Sequence, residues 1–303
     1  MLRSLAIALL VCAALAPAAQ AAPRNGPIYY SDGSALWKVS PHGSNHERVR
    51  MQFFHSQLAF SPNGLKLIGV SGGLTVFDLA DGWKTHDLPI SGDWWGRPAW
   101  SPNGRQIAFS KCERSEFTDI DECVRYGVYR MRSNGSRVRR VAQGKDPTWS
   151  PDGRSLVFLH QLRERDRYGN PCNGLYTVHA NGRQLRPVLP NPPRCTFGYD
   201  APYYPSWSPD GRRVLFFNRG NVFTVRPDGS RVRRLVPAPR GSFITDGRWS
   251  PDGRRIAYSV GWGGARTEDS GIFVAKSSGG LGRRVAAVDA PGSIAWQPLA
   301  SHP

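Results

Sequence analysis

Beyond residue 21 this 303-residue chain has no segment approaching the roughly 18 consecutive apolar residues that a membrane-spanning helix requires. No transmembrane segment is therefore expected in the mature protein. Lysine is scarce, with six residues against 34 arginines. Cysteine is scarce too: of five, no two lie two to four residues apart, which argues against a zinc-ribbon type of metal centre. Seven histidines, at positions 42, 46, 55, 86, 160, 179 and 302, form no zincin spacing, because His42 and His46 lie in a turn region and not on a helix. Neither a metal nor another cofactor is expected. Gly69-Val70-Ser71-Gly72-Gly73 matches the Gly-x-Ser-x-Gly string of serine hydrolases, yet a nucleophile elbow needs a strand-turn-helix and this string sits between two short apolar runs.

What the chain does contain is one phrase repeated: an aromatic residue, then Ser-Pro-Asn/Asp-Gly, then an apolar, β-branched run. It occurs at Phe60-Ser61-Pro62-Asn63-Gly64, and with Trp in front at Trp100, Trp149, Trp207 and Trp249. A sixth, degraded copy is Trp296-Gln297-Pro298. Proline presets φ for the second position of a tight turn, Asn or Asp tolerates the third, and Gly takes the positive φ of the fourth. The serines are spaced by 40, 49, 58 and 42 residues, and Gln297 follows after 47, which is the period of a four-stranded propeller blade.

Each turn precedes a strand such as Gln106-Ile107-Ala108-Phe109, then a third such as Val128-Tyr129-Arg130, and then a basic fourth such as Arg137-Val138-Arg139-Arg140-Val141. The N-terminus supplies only the last three strands of a blade, in Pro27 to Tyr30, Ala35 to Val39 and Glu47 to Arg50. The missing first strand is at the other end, in Ser293-Ile294-Ala295-Trp296. The expected fold is all-β: a six-bladed β-propeller whose ring is closed by both termini in one blade, with no open edge.

These repeats resemble the WD40-like (PD40) repeat of the TolB-like propeller family, over almost the whole chain. The resemblance implies a propeller that binds partners. It implies no particular chemistry, because the repeated residues are those that build turns and pack blades.

Residues 1 to 21 read as a secretory signal peptide, with Arg3, an apolar stretch from Leu5 to Leu15 and a small-residue site Ala19-Gln20-Ala21. Residues 22 to 303 then form one domain, exported to the periplasm or beyond and monomeric. In an oxidising compartment the mature Cys112, Cys123, Cys172 and Cys195 admit three pairings. Cys112 with Cys123, and Cys172 with Cys195, are favoured.

The formal charge is +17, and +16 without Arg3. Arginines on the fourth strands either solvate an outer edge and block edge pairing, or collect an anionic polymer; both readings stand.

In a meandering blade the first-to-second and third-to-fourth turns share one face, and the other connections share the opposite one. The short turns here all fall on the first. The long segments, residues 112 to 126, 161 to 173, 190 to 204, 237 to 246 and 261 to 270, all fall on the second, where binding loops belong. The residue three before each first-strand aromatic is expected at the channel mouth on that face: Gln57, Arg97, Asp146, Tyr204, Asp246 and Ser293. His55, Trp94, Trp95, Tyr203, Trp262, Tyr199 and Phe243 surround them, a mixture suited to sugar or peptide. At such a wet rim these side chains pack against little, so their loss should cost little stability. The expected function is a binding or scaffold module for an envelope protein or glycan, with two alternatives: an enzyme on a sugar polymer or lactone using Asp146 and Asp246, or an arginine-mediated polyanion binder.

Overall fold

The computed structural model describes residues 23–53, 56–90, 96–116, 122–165, 171–189, 202–238, 242–262, 270–289 and 291–299. Among them there is no helix, and so none that crosses a membrane. Six four-stranded antiparallel sheets make six blades. Blade 1 joins Ile294–Leu299 to Arg24–Ser31, Ala35–Val39 and Glu47–Met51. Blade 2 runs Ser56–Phe60, Lys66–Val70, Leu74–Asp78 and Lys84–Asp87. Blade 3 runs Ala99–Trp100, Gln106–Glu116, Glu122–Arg132 and Arg139–Gln143. Blade 4 runs Lys145–Trp149, Ser155–Arg165, Pro171–His179 and Arg186–Pro187. Blade 5 runs Tyr203–Trp207, Val214–Asn218, Asn221–Val225 and Arg233–Val236. Blade 6 runs Ser242–Trp249, Arg255–Trp262, Gly271–Lys276 and Arg283–Ala287. The closure expected from the repeats is thus present.

The recurring serine does specific work. In every copy its buried hydroxyl donates to the Asn or Asp carbonyl or carboxylate two residues on, at 2.6–2.8 Å. The same oxygen accepts the amide five residues on, at 2.9 Å, where the second strand begins. The turn is therefore fixed before any packing occurs. It also touches its neighbour: a side-chain carbon on Gly104, Gly153, Gly211 or Gly253 would meet the proline of the preceding turn at 3.5–3.8 Å. A ring of proline-on-glycine contacts runs round this face.

Between blades the second-strand residues supply the core. Phe109, Phe158 and Phe217 are fully buried against the neighbouring sheets, each worth about 2–3 kcal/mol. Where Ser is replaced by Gln297 the closure is made differently. Gln297 donates from Nε2 to the Gly64 carbonyl at 2.8 Å, Trp296 from Nε1 to the Gly26 carbonyl at 2.9 Å, and the Asp252 amide to Asn25 at 3.2 Å.

Two expected loops are instead strands. Residues 112–116 and 122–126 prolong the middle hairpin of blade 3, with Glu122 opposite Glu116 and Cys112 bonded to Cys123 across a Cα separation of 5.8 Å. Residues 161–165 and 171–173 do the same in blade 4, where Arg165 pairs Pro171. Apart from Cys123, Gln161 and Cys172 these extensions bury little, so their sequence carries no apolar alternation and reads as polar loop. Glu113 anchors the first: its carboxylate accepts the Tyr129 hydroxyl at 2.8 Å and Arg140 Nη2 at 3.0 Å. Cys172 is also disulfide-bonded. Cys195, and the leader at residues 1 to 21, lie outside the described residues.

Gly64 and Gly104 occupy the same turn position, with φ of 71° and 69°. A Cβ on Gly64 would meet the Pro298 carbonyl oxygen at 1.9 Å, whereas on Gly104 it would meet nothing nearer than 3.8 Å. Gly104→Ala is expected to cost about 1–2 kcal/mol, the left-handed backbone penalty alone. Gly64→Ala adds a backbone clash at the closing seam and should cost about 3 kcal/mol or more in urea unfolding. Equal losses would mean that the seam does not close the ring as described.

Candidate functional site

The six mouth residues converge, but they are not at a wet rim. Arg97, Asp146, Asp246 and Ser293 are 6%, 4%, 1% and 8% exposed, and only Gln57 and Tyr204 are half-buried. The expectation that Arg97 and Asp146 stand at a wet rim and pack against little is overturned, since both are buried and bonded. The reason lies in the backbone. Register shifts interrupt the first strands between Ser56 and Ala59, Lys145 and Thr148, Tyr203 and Ser206, and Ile244 and Asp246. Gln57, Asp146 and Tyr204 sit in these bulges with φ of 56°, 54° and 52°. A bulge re-aims its side chain, here toward the propeller axis.

Arg97 is the centre. Its Nη1 donates to Asp246 Oδ1 at 2.6 Å, its guanidinium lies 3.7 Å from the Tyr204 ring centroid, and its amide donates to Asp146 Oδ1 at 3.2 Å. One side chain of blade 3 thereby touches blades 5 and 6 and is positioned by blade 4. Asp246 also accepts Arg248 Nη1 at 3.2 Å and, through Oδ2, the Ile294 amide of blade 1 at 2.9 Å. Ser293 accepts the Leu58 amide at 2.9 Å, tying blade 1 to blade 2. Burial alone would push the Asp246 carboxyl up. Arg248, Arg97 and the Ile294 amide instead hold it below the ordinary carboxylate value. Burial and the neighbouring Arg97 pull the Arg248 guanidinium down.

This cluster divides the channel. On the long-loop side a pocket of about 330 Å³ is lined by Lys145, Asp146, Asn173, Tyr203, Tyr204 and Phe243, and Phe243 is 42% exposed. On the turn side a funnel of about 420 Å³, walled by Trp100, Trp207, Trp249, Trp296 and the turn prolines, reaches Arg97 and Arg248. Lys145 and Asn173 were not singled out in the sequence. Both flank expected residues, and Lys145 immediately precedes the bulged Asp146.

Other candidates have structural employment. The His160 ring bonds the Gln143 carbonyl through Nδ1 at 2.8 Å. The Tyr203 hydroxyl donates to the Ile244 carbonyl at 3.3 Å and accepts the Gly220 amide at 3.2 Å. Ser71 lies in a hairpin between antiparallel strands and not in a nucleophile elbow. Trp262 ends a strand opposite Ser242, its side chain outside the description. His55, Trp94, Trp95 and Tyr199 also lie outside the described residues. Among those described, no three His, Cys, Asp or Glu gather as metal ligands would.

The chain is a closed six-bladed propeller with a plugged axis, and its fold is that of solved TolB structures. It is similar in structure to TolB from Acinetobacter baumannii, with a TM-score of 0.66 and 17% identity over 90% of this chain and 67% of that one. It is equally similar to a putative TolB from Agrobacterium tumefaciens, at 0.66 and 19% identity, covering 89% of this chain and 91% of that one. An oligogalacturonate lyase in complex with manganese is more distant, at 0.53 and 15% identity over 84% of this chain and 70% of that one. No family model matches the sequence. An uncharacterized peptidase, YuxL of Bacillus subtilis, is 29% identical over 123 residues, 39% of this chain, and the match spans only 16% of the peptidase.

Asp246→Asn leaves two buried guanidiniums without their counter-charge and is expected to cost about 3–5 kcal/mol at pH 7. Because the native Asp246 pKa is lowered, its stabilisation is present above the unfolded aspartate value near 4 and is lost as pH falls through the native value. Urea unfolding from about pH 5 to pH 2 should therefore show a shallower acid loss in Asp246→Asn than in the parent. A variant as stable as the parent at pH 7 would refute the plug.

Proposed function

We propose that this chain is an exported, monomeric binding or scaffold module, with a signal peptide at residues 1 to 21 and one propeller domain at 22 to 303. It recognises an envelope protein or glycan through its long-loop face. The observation that carries this reading is the pocket above the plug. It combines one exposed aromatic, Phe243, two tyrosines, a cation at Lys145 and a carboxylate at Asp146 on backbone that cannot shift, because Asp146 is locked by the Arg97 amide and by its own amide donating to Ser110 Oγ at 2.9 Å. Rigid placement of a few polar groups around an apolar surface is what ligand sites require. In this reading Asp146, Tyr204 and Phe243 meet the ligand, while Gln57, Arg97, Asp246 and Ser293 hold them from beneath. His55, Trp94, Trp95 and Trp262, expected on the same face from hairpin parity, are proposed as further contacts; His55, Trp94 and Trp95 lie outside the described residues. The solved TolB structures support the scaffold reading at the level of fold.

Glycan-array screening and affinity capture from envelope extract identify the ligand, and calorimetry then tests the site. Phe243→Ala is expected to weaken binding by about 1–3 kcal/mol. Lys145→Ala, which removes one charged hydrogen bond, should cost about 1.5–3 kcal/mol. Both should unfold like the parent. Unchanged affinity in both would move the site off this pocket. Export and the second bridge have their own test: non-reducing peptide mapping of natively produced protein should find Cys172 joined to Cys195 and Cys112 to Cys123. A free thiol at Cys195 would overturn the pairing.

A further inference from the structure

The face opposite the long loops carries a second feature. Beside the third-to-fourth turn of blade 3, a cleft of about 720 Å³ is lined by Arg105, Arg130, Arg132, Arg137 and Arg139. Two blades on, a cleft of about 420 Å³ is lined by Arg212, Arg213, Arg226, Arg231 and Arg233. The two are built on one plan. Arg105 and Arg212 follow the turn glycines, Arg132 ends the third strand of blade 3 and Arg226 follows that of blade 5, and Arg139 and Arg233 begin the fourth strands, with Arg137 and Arg231 two residues before them. Turn-to-turn bonds hold the walls together, as in the Ser133 amide donating to the Arg105 carbonyl at 2.9 Å.

Several observations separate these clefts from mere edge solvation. Among the described residues, none of the ten arginines forms an ion pair with a carboxylate. Asp210, in the second cleft, is occupied by its own turn, accepting Ser208 Oγ and the Arg212 amide. Blade 2 is built differently at this level: Asp78 and Asp81 stand there, paired to Lys66 and Lys84. The rim is therefore not uniformly cationic. Arg137 and Arg231 moreover hold left-handed backbone, with φ of 56° and 55°. Blade 1 has Asn45 at that point with φ of 52°, a residue that takes this conformation at lower cost. A guanidinium fork binds carboxylate or sulfate in two parallel hydrogen bonds, which a lysine does not.

We propose that the two clefts are a pair of subsites for an acidic polysaccharide, a chain bearing uronate or sulfate groups that reaches from blade 3 to blade 5 across the short-turn face. Polar groups for sugar hydroxyls line the first cleft in Ser133 and Asn134. Neither cleft is lined by an aromatic ring on which a nucleic-acid base would stack, and that disfavours single-stranded nucleic acid.

The test uses the full mature chain and a heparin hexasaccharide, with polygalacturonate as the uronate probe and a DNA oligonucleotide of matched charge as the rival, all in about 0.15 M salt. Arg105, Arg132, Arg137 and Arg139 are changed together to Gln, as are Arg212, Arg226, Arg231 and Arg233. All eight are exposed, so folding is preserved and is checked by the melting curve. Each set should weaken binding of either glycan by roughly tenfold or more and flatten its salt dependence. A control removing the same charge from blades 1 and 2, away from that path, Arg24, Arg48, Arg50 and Lys84 to Gln, should change it by less than about threefold. The absence of glycan binding, an equal loss in the control, or DNA binding as tight as either glycan would each overturn the proposal.

Discussion

Taking a guanidinium out of water costs several kcal/mol unless a carboxylate goes with it. Arg97 makes that exchange at the axis of the ring. It leaves blade 3, pairs with Asp246 of blade 6 and lies over Tyr204 of blade 5. Such a charge tolerates only arrangements in which its partner is in place, so the pair acts as a registration device: blades packed with the wrong rotation would bury Arg97 alone. Asp246 extends the constraint to the seam, because its second oxygen holds the Ile294 amide of the closing strand. One carboxylate thus both sets the channel geometry and adds a bond to the closing strand.

A wet channel would need no such pairing. The plug turns one through-pore into two dead-ended cavities with different walls, the upper polar and aromatic, the lower tryptophan and proline. The two sides can thus be chemically independent while sharing a wall. The bulges at Asp146 and Tyr204 serve this division, because a departure from regular ladder brings their side chains to Arg97 at the axis. Non-glycine residues in left-handed backbone persist where the surrounding structure over-determines them, and such positions collect at functional sites.

The fold was legible because its determinants are local. Ser-Pro-Asp-Gly specifies its own turn through Ser208 or Ser250 hydroxyl bonds that involve no distant residue. Closure was legible from counting strands at the two ends. Which residues reach the axis was legible from repeat position, as Arg97, Asp146 and Asp246 show. That they are buried and paired was not, because Arg97 and Asp246 are 149 residues apart and nothing in either neighbourhood announces the other. The prolonged hairpins were missed for the opposite reason. Their pairing is local, but their few buried positions, Cys123, Gln161 and Cys172, make no apolar alternation to read.

A propeller separates what its two faces must do. The short-turn face is where folding is specified, so its turn residues are fixed by φ and by hydroxyl bonds, and variation there is confined to side chains that point away from the ring. Those are the positions the arginines take. The long-loop face carries no such obligation and can lengthen hairpins, add a disulfide and present Phe243 without disturbing a turn. Charge on one side and elaborated loops on the other follow from where the chain can change without losing the ring.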